Sequence, residues 1–126
     1  MVTPSPSINV LGGALAPCST DPMTGYFRDG ACNTCAEDTG SHTVCAVMTG
    51  EFLAYSKYVG NDLSTPRPEF GFVGLKPGDA WCLCAARFFQ AHDEGCAPKV
   101  SLASTHVRAL EIVPLEVLKA HAIETL

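Results

Sequence analysis

The sequence predicts an α+β fold, a two-layer sheet-and-helix single domain with two long ordered loops, and three observations point to it. The chain has 126 residues, 47% hydrophobic and 17% charged. A domain of this size buries roughly two thirds of the surface its unfolded chain exposes, so one core suffices without a metal or a disulfide. Strand and helix patterns are mixed along the chain, and two stretches show neither period.

Residues 1–7 read as a flexible tail, followed by a single domain over 8–126. Ile8 to Leu11 predicts a short strand entering a turn at Gly12-Gly13. Pro17 to Ser41 holds only turn formers such as Asp21-Pro22, Asp29-Gly30 and Thr39-Gly40, and reads as the first long loop. Thr43 to Met48 alternates as a strand does. Thr49 is placed to cap a helix running to about Val59, with Gly60 as its stop. Gly60 to Ala80, broken by Pro66, Pro68, Gly71, Gly74, Pro77 and Gly78, is the second long loop. Trp81 to Ala85 predicts a strand, Arg87 to Glu94 a helix closed by Gly95, and Lys99 to Ala103 a strand. Ala109 to Val113 reads as a further strand, and Pro114 to Ala122 as a helix with Pro114 at its first position.

Composition excludes several classes of function. No apolar run reaches the roughly 18 residues needed to span a bilayer, so no membrane role is expected. Val2 to Ser7 carries neither a basic nor an apolar segment of the kind a secretory signal needs, which makes the cytoplasm the expected location. The net charge is −5. The eight basic residues never fall closer than nine apart, so no nucleic acid partner is expected, because binding a phosphate backbone requires gathered Lys and Arg. Seven cysteines, an odd number with no export signal, predict reduced thiols rather than a disulfide framework.

Ordered loops longer than roughly 12–15 residues tend to be functional. If the two loops converge, Arg28, Asp29, Asn61, Asp62 and Arg67 can hold a small anionic or polar molecule. Arg67, stiffened between Pro66 and Pro68, would project from a pre-ordered loop. The same residues would otherwise be solvated turn formers and caps.

Several segments together resemble one family: Asn9-Val10-Leu11-Gly12-Gly13, Pro17 through Gly30 (PCSTDPMTGYFRDG), Gly40 through Ala46, Gly60 through Pro68 (GNDLSTPRP), Leu75 through Ala85, and Thr105-His106. The chain is similar over nearly its whole length to the small bacterial proteins of domain of unknown function 2237. The resemblance implies a small α and β fold in a bacterial cytoplasm, and brings with it no activity, cofactor or substrate. Relative to the family pattern, Ala31 stands where a cysteine is common, while Cys35 and Cys96 are not typical.

Cysteine and histidine chemistry offers the alternatives. Cys32 and Cys35 have the spacing of a zinc knuckle, and Cys82 and Cys84, on one face of a strand, could supply a second pair, with His42 or Cys45 as substitutes. Zinc or iron would be the metal. Alternatively Cys84, just before a helix where the dipole favours a thiolate, or Cys82, is a nucleophile with His42 or His106 as its base. His92 and His121, on predicted helices, read as surface or packing residues, and Trp81 as a core anchor. The leading expectation is a loop-lined site for a small anionic or polar molecule, with or without catalysis. A metal or thiol site is the second reading, and a non-catalytic protein that binds an unknown protein partner the third.

Overall fold

The computed structural model describes residues 3–124. Strand β1 (His42–Val47) is rich in β-branched residues, Thr43, Val44 and Val47, which suit an extended backbone. It lies at the centre of a three-stranded sheet, antiparallel to β2 (Ala80–Cys84) on one side and to β3 (Lys99–Val100) on the other. Cys45 stands opposite Cys82, and Ala46 opposite both Trp81 and Val100. A bulge between His42 and Val44 resets the register so that His42 faces Cys84.

Helix α1 (Gly50–Tyr58) begins where Thr49 Oγ1 accepts the Phe52 N–H at 3.1 Å, and the chain leaves it through Gly60 at φ +94°. Helix α2 (Ala85–Asp93) follows β2 with no intervening loop, and α3 (Leu115–Ala120) starts after Pro114. Val44, Ala46, Leu83 and Val100 of the sheet pack with Phe52 of α1, Phe88 and Ala91 of α2 and Leu118 of α3 in one core. This is the sheet-and-helix arrangement the sequence predicts.

The other face of the sheet carries Thr43, Cys45 and Cys82, and it too is buried. Residues 17–41 cover it, joined to the strands by two disulfides, Cys18–Cys45 and Cys32–Cys82, with Cα separations of 5.7 and 5.3 Å. Thr24 adds a hydrogen bond, its Oγ1 accepting the Cys82 N–H at 2.9 Å on the open edge of β2. The expectation of reduced thiols is therefore corrected. The parity of a cysteine count is blind to proximity, and a loop with neither an apolar face nor a ladder of its own needs cross-links to stay over the sheet.

Two predicted strands are replaced by other structure. Ile8–Leu11 makes only isolated bridges, Ile8 to Ala14 and Asn9 to His106. Asn9 Oδ1 accepts the N–H groups of Leu11 and Gly13 at 2.9 and 3.0 Å, which turns the chain before a ladder can form. Val107–Glu111 is a 3-10 helix where Ala109–Val113 was expected as a strand. A strand through 109–113 would place Glu111 on the same face as Ala109 and Val113, whereas the helical path buries those two and leaves Glu111 exposed. The strand expected at Lys99–Ala103 stops at Val100, because Glu124 takes the Leu102 and Ala103 N–H groups at 2.9 Å each. Of the expected tail at residues 1–7, Met1 and Val2 lie outside the described residues. Ser5 N–H donates to Thr34 O at 2.8 Å, and Pro6 O accepts from His106 Nε2–H at 2.8 Å.

His106 is the knot of that end of the molecule. Its backbone N–H donates to Thr43 O in β1 at 2.9 Å, its Nε2–H to Pro6 O, and its Nδ1 accepts the Arg108 N–H at 3.0 Å. The ring is fully buried and neutral in this arrangement, and burial, aided by Arg108, holds its pKa below the ordinary 6.5 against the opposing Pro6 bond. His121 is lowered by burial, His92 and Lys99. Both groups take up protons more readily when the chain unfolds, so their contribution is full above about pH 6.5 and is lost as pH falls towards the folded values. The urea midpoint should therefore fall between about pH 7 and about pH 5.5, with a shallower decline in His106→Gln. A midpoint constant over that interval would contradict the role given to His106.

Candidate functional site

The two long loops meet over the β2 edge of the sheet. Three adjoining hollows open there, of about 320, 240 and 260 Å³, and Trp81 borders all of them. Alternation along β2 sets Trp81 and Leu83 on one face. Leu83 is in the core, while Trp81, nearer the strand's start, is half-buried with Phe72 against it edge-on at 5.5 Å. The residue expected as a core anchor is thus also a wall of the groove.

Arg28 reaches over Trp81, its guanidinium carbon 5.4 Å from the ring centroid, a geometry in which the ring's negative face attracts the cation. Its own backbone has φ +54°, in the left-handed region that a non-glycine residue occupies only when its surroundings hold it there. The largest hollow joins Arg28 to Met23, Phe70 and Val73. Those apolar side chains are 45%, 82% and 67% exposed, so a ligand with an apolar body would remove them from water.

Beside Arg28 the loop ends in a tight fold built on Asp38. Its side chain is completely buried, and its carboxylate is fully engaged: Oδ2 accepts Thr34 Oγ1–H at 2.9 Å and the His42 N–H at 3.0 Å, while Oδ1 meets His42 Nδ1 at 2.7 Å. A carboxylate is acceptor-only, so the Nδ1 proton lies between them and Nε2 of the neutral ring is an acceptor. The His42 side chain is 44% exposed, and Tyr26 stacks on it with centroids 6.4 Å apart. Ser41, at φ +48°, folds His42 back onto Asp38. Gly40 lies flat against the ring, where a Cβ would come within 2.7 Å of His42 Cε1. The third hollow joins His42 to Cys84, its partner across the ladder, and to Asn61 and Arg87. The bulge next to His42 interrupts the regular pairing there, so what the two side chains share is this hollow.

Of the residues singled out from sequence, some border the groove, some are engaged in local turns, and others lie apart from it. Arg28, His42, Asn61, Cys82 and Cys84 border it. Asp29 is a turn residue, accepting from Ala31 N–H at 3.1 Å and Asn33 Nδ2–H at 2.9 Å. Asp62 caps its own turn through Ser64, Thr65 N–H and Thr65 Oγ1; the Thr65 hydroxyl leads the effects that lower its pKa. Arg67 is exposed and borders none of the three hollows. His106 has both ring nitrogens committed to backbone groups. Among the cysteines proposed as metal ligands, Cys32, Cys45 and Cys82 converge in one buried cluster, and Cys18, not singled out from sequence, joins them. Cys35 is buried and unpaired elsewhere, and Cys84 is a free, half-buried thiol.

Asp38 was missed by sequence reading. Its signal was slight: an Asp four residues before a His, with a Gly between, inside a segment of no period. Over residues 8–122 the chain matches the profile of a family described as "Uncharacterized protein conserved in bacteria (DUF2237)". No curated protein matches the sequence.

Proposed function

The chain belongs to the bacterial family of domain of unknown function 2237, and from the groove shared by its two loops we propose that it binds a small organic anion with a flat apolar body. The observation that carries this reading is Arg28 held over Trp81 beside exposed Phe70 and Val73. The apolar surfaces favour the body of such a ligand, and the guanidinium fork favours a carboxylate or phosphate head. With net charge −5 the protein as a whole repels anions, so recognition depends on local cations, and Arg28 is the one set over the Trp81 ring. Trp81 is the only tryptophan, so its indole N–H is a single reporter in proton–nitrogen spectra. Naphthoate should shift that signal saturably, and Arg28→Gln should weaken binding roughly tenfold or more, the worth of one charge-assisted hydrogen bond. Unchanged affinity in Arg28→Gln, or equal binding of the uncharged naphthamide, would refute the proposal.

A second reading rests on the Asp38–His42 contact, with Cys84 lining the same hollow as His42. In it, His42 Nε2 accepts the Cys84 proton, Asp38 holds the ring in the required tautomer, and the thiolate attacks an electrophilic ligand lying in the groove. Cys84 should then react with iodoacetamide faster than Cys96, the other half-buried free thiol, and lose that advantage in His42→Asn and Asp38→Asn. Equal rates at the two cysteines in the native protein would remove this reading and leave ligand binding untouched.

A further inference from the structure

Four cysteines occupy one small volume beneath the first loop. Cys45 and Cys82 are direct partners on neighbouring strands, which gives their side chains a common face. Cys18 and Cys32 descend from the loop, which is closed between them by Cys18 N–H and Ser19 N–H donating to Gly30 O at 2.7 and 3.0 Å. The sulfurs of Cys18, Cys32 and Cys82 lie within 4.8 Å of one another, and Cys45 is bonded to the first of them. Cys32, Cys45 and Cys82 are each no more than 2% exposed.

Two isolated disulfides on a surface loop would not bring their sulfurs into mutual contact. Here the pairs share one pocket. A tetrahedral tetrathiolate centre with Zn–S bonds of about 2.3 Å places its sulfurs about 3.8 Å apart. Three of the sulfurs already lie within 4.8 Å of one another, and reduction frees Cys45 Sγ from Cys18 to take the fourth position by side-chain rotation. Four soft ligands in a dry pocket, with no carboxylate or imidazole among them, suit zinc over calcium or magnesium.

We propose that Cys18, Cys32, Cys45 and Cys82 form a redox-gated zinc site, with the two disulfides as its oxidised, metal-free state. In the forward direction a dithiol reductant transfers two electrons and two protons to each disulfide and is itself oxidised to a cyclic disulfide. The four thiols then bind one Zn²⁺ as thiolates and release four protons. In the reverse direction two equivalents of a peroxide remove four electrons from the tetrathiolate, re-forming both sulfur–sulfur bonds, expelling Zn²⁺ and leaving hydroxide. Either state fastens the loop that carries Arg28 and Asp38, and only the reduced, metal-free chain lets it go. This proposal is independent of ligand binding in the groove, which is tested on the oxidised chain.

Cobalt(II) is the probe. The full chain is reduced anaerobically, freed of reductant and titrated with Co²⁺. One equivalent should produce the intense thiolate-to-cobalt charge-transfer band with tetrahedral visible bands, zinc should displace it, and peroxide should abolish it while restoring two disulfides. The unreduced chain should give no such spectrum. Cys18→Ser and Cys32→Ser should each weaken uptake by more than about tenfold, while Cys35→Ser and Cys96→Ser should leave it unchanged. The wild-type titration decides the matter even if a variant fails to fold. Absence of the tetrahedral thiolate spectrum in the reduced wild-type chain, or its persistence at full affinity in both Cys18→Ser and Cys32→Ser, would overturn the proposal.

Discussion

A sheet with only three strands, one of them two residues long, can bury one face against helices, but its other face here is covered by a loop without regular structure. That loop has no hydrogen-bond ladder and little apolar surface of its own, so fixing its backbone, at about 1–2 kcal/mol per residue, has few compensating contacts. The cross-links Cys18–Cys45 and Cys32–Cys82 supply what is missing. They close segments of 27 and 50 residues, and chain-entropy arguments put each closure at about 3–4 kcal/mol, acting largely through the unfolded state. The groove depends on this constraint, because Arg28 and Asp38 both ride on the fastened loop.

From that constraint the site follows in short steps. The disulfides set the loop over the β2 edge, and Thr24 completes the attachment by occupying the Cys82 N–H. Arg28 and Ser41 then hold left-handed backbone conformations that their side chains alone would not favour. The first projects a guanidinium over Trp81, and the second returns His42 to the buried Asp38 carboxylate. Among the described residues no buried side-chain nitrogen or oxygen lacks a hydrogen-bond partner, so the polar cluster under His42 is a completed network that fixes its own geometry.

How much of this was legible in the sequence depended on how local the cause was. Helix α1 was readable because Thr49 and Gly60 act within a turn of its ends. β1 was readable because Val44, Ala46 and Met48 recur on one face and Thr43, Cys45 and Val47 on the other. The strand expected at Ala109–Val113 was misread because a short, mostly apolar segment fits either period, and exposure of Glu111 between buried Ala109 and Val113 marks it as helical only once the core is known. From length and composition, convergence of the two loops could be posed only as a condition, and of the residues tied to it Arg28 and Asn61 border the hollows. Asp29 and Asp62 went instead to local turns, as short carboxylates commonly do. The Asp38–His42 pair and the four-sulfur cluster were out of reach: the first depends on the backbone at Ser41, the second on a strand register that sets Cys45 against Cys82.

The cysteine cross-links, rather than the loop's own contacts, hold residues 17–41 against the sheet. Amide hydrogen exchange on the oxidised chain, and on the chain reduced in the presence of a chelator, measures this directly. Reduction should strip protection from the backbone amides of residues 17–41, Gly30 and Ser41 among them, while α1, α2 and the Ala46–Val100 side of the sheet keep theirs. Protection of the loop that survives reduction intact would show that its own hydrogen bonds suffice, and would contradict the claim.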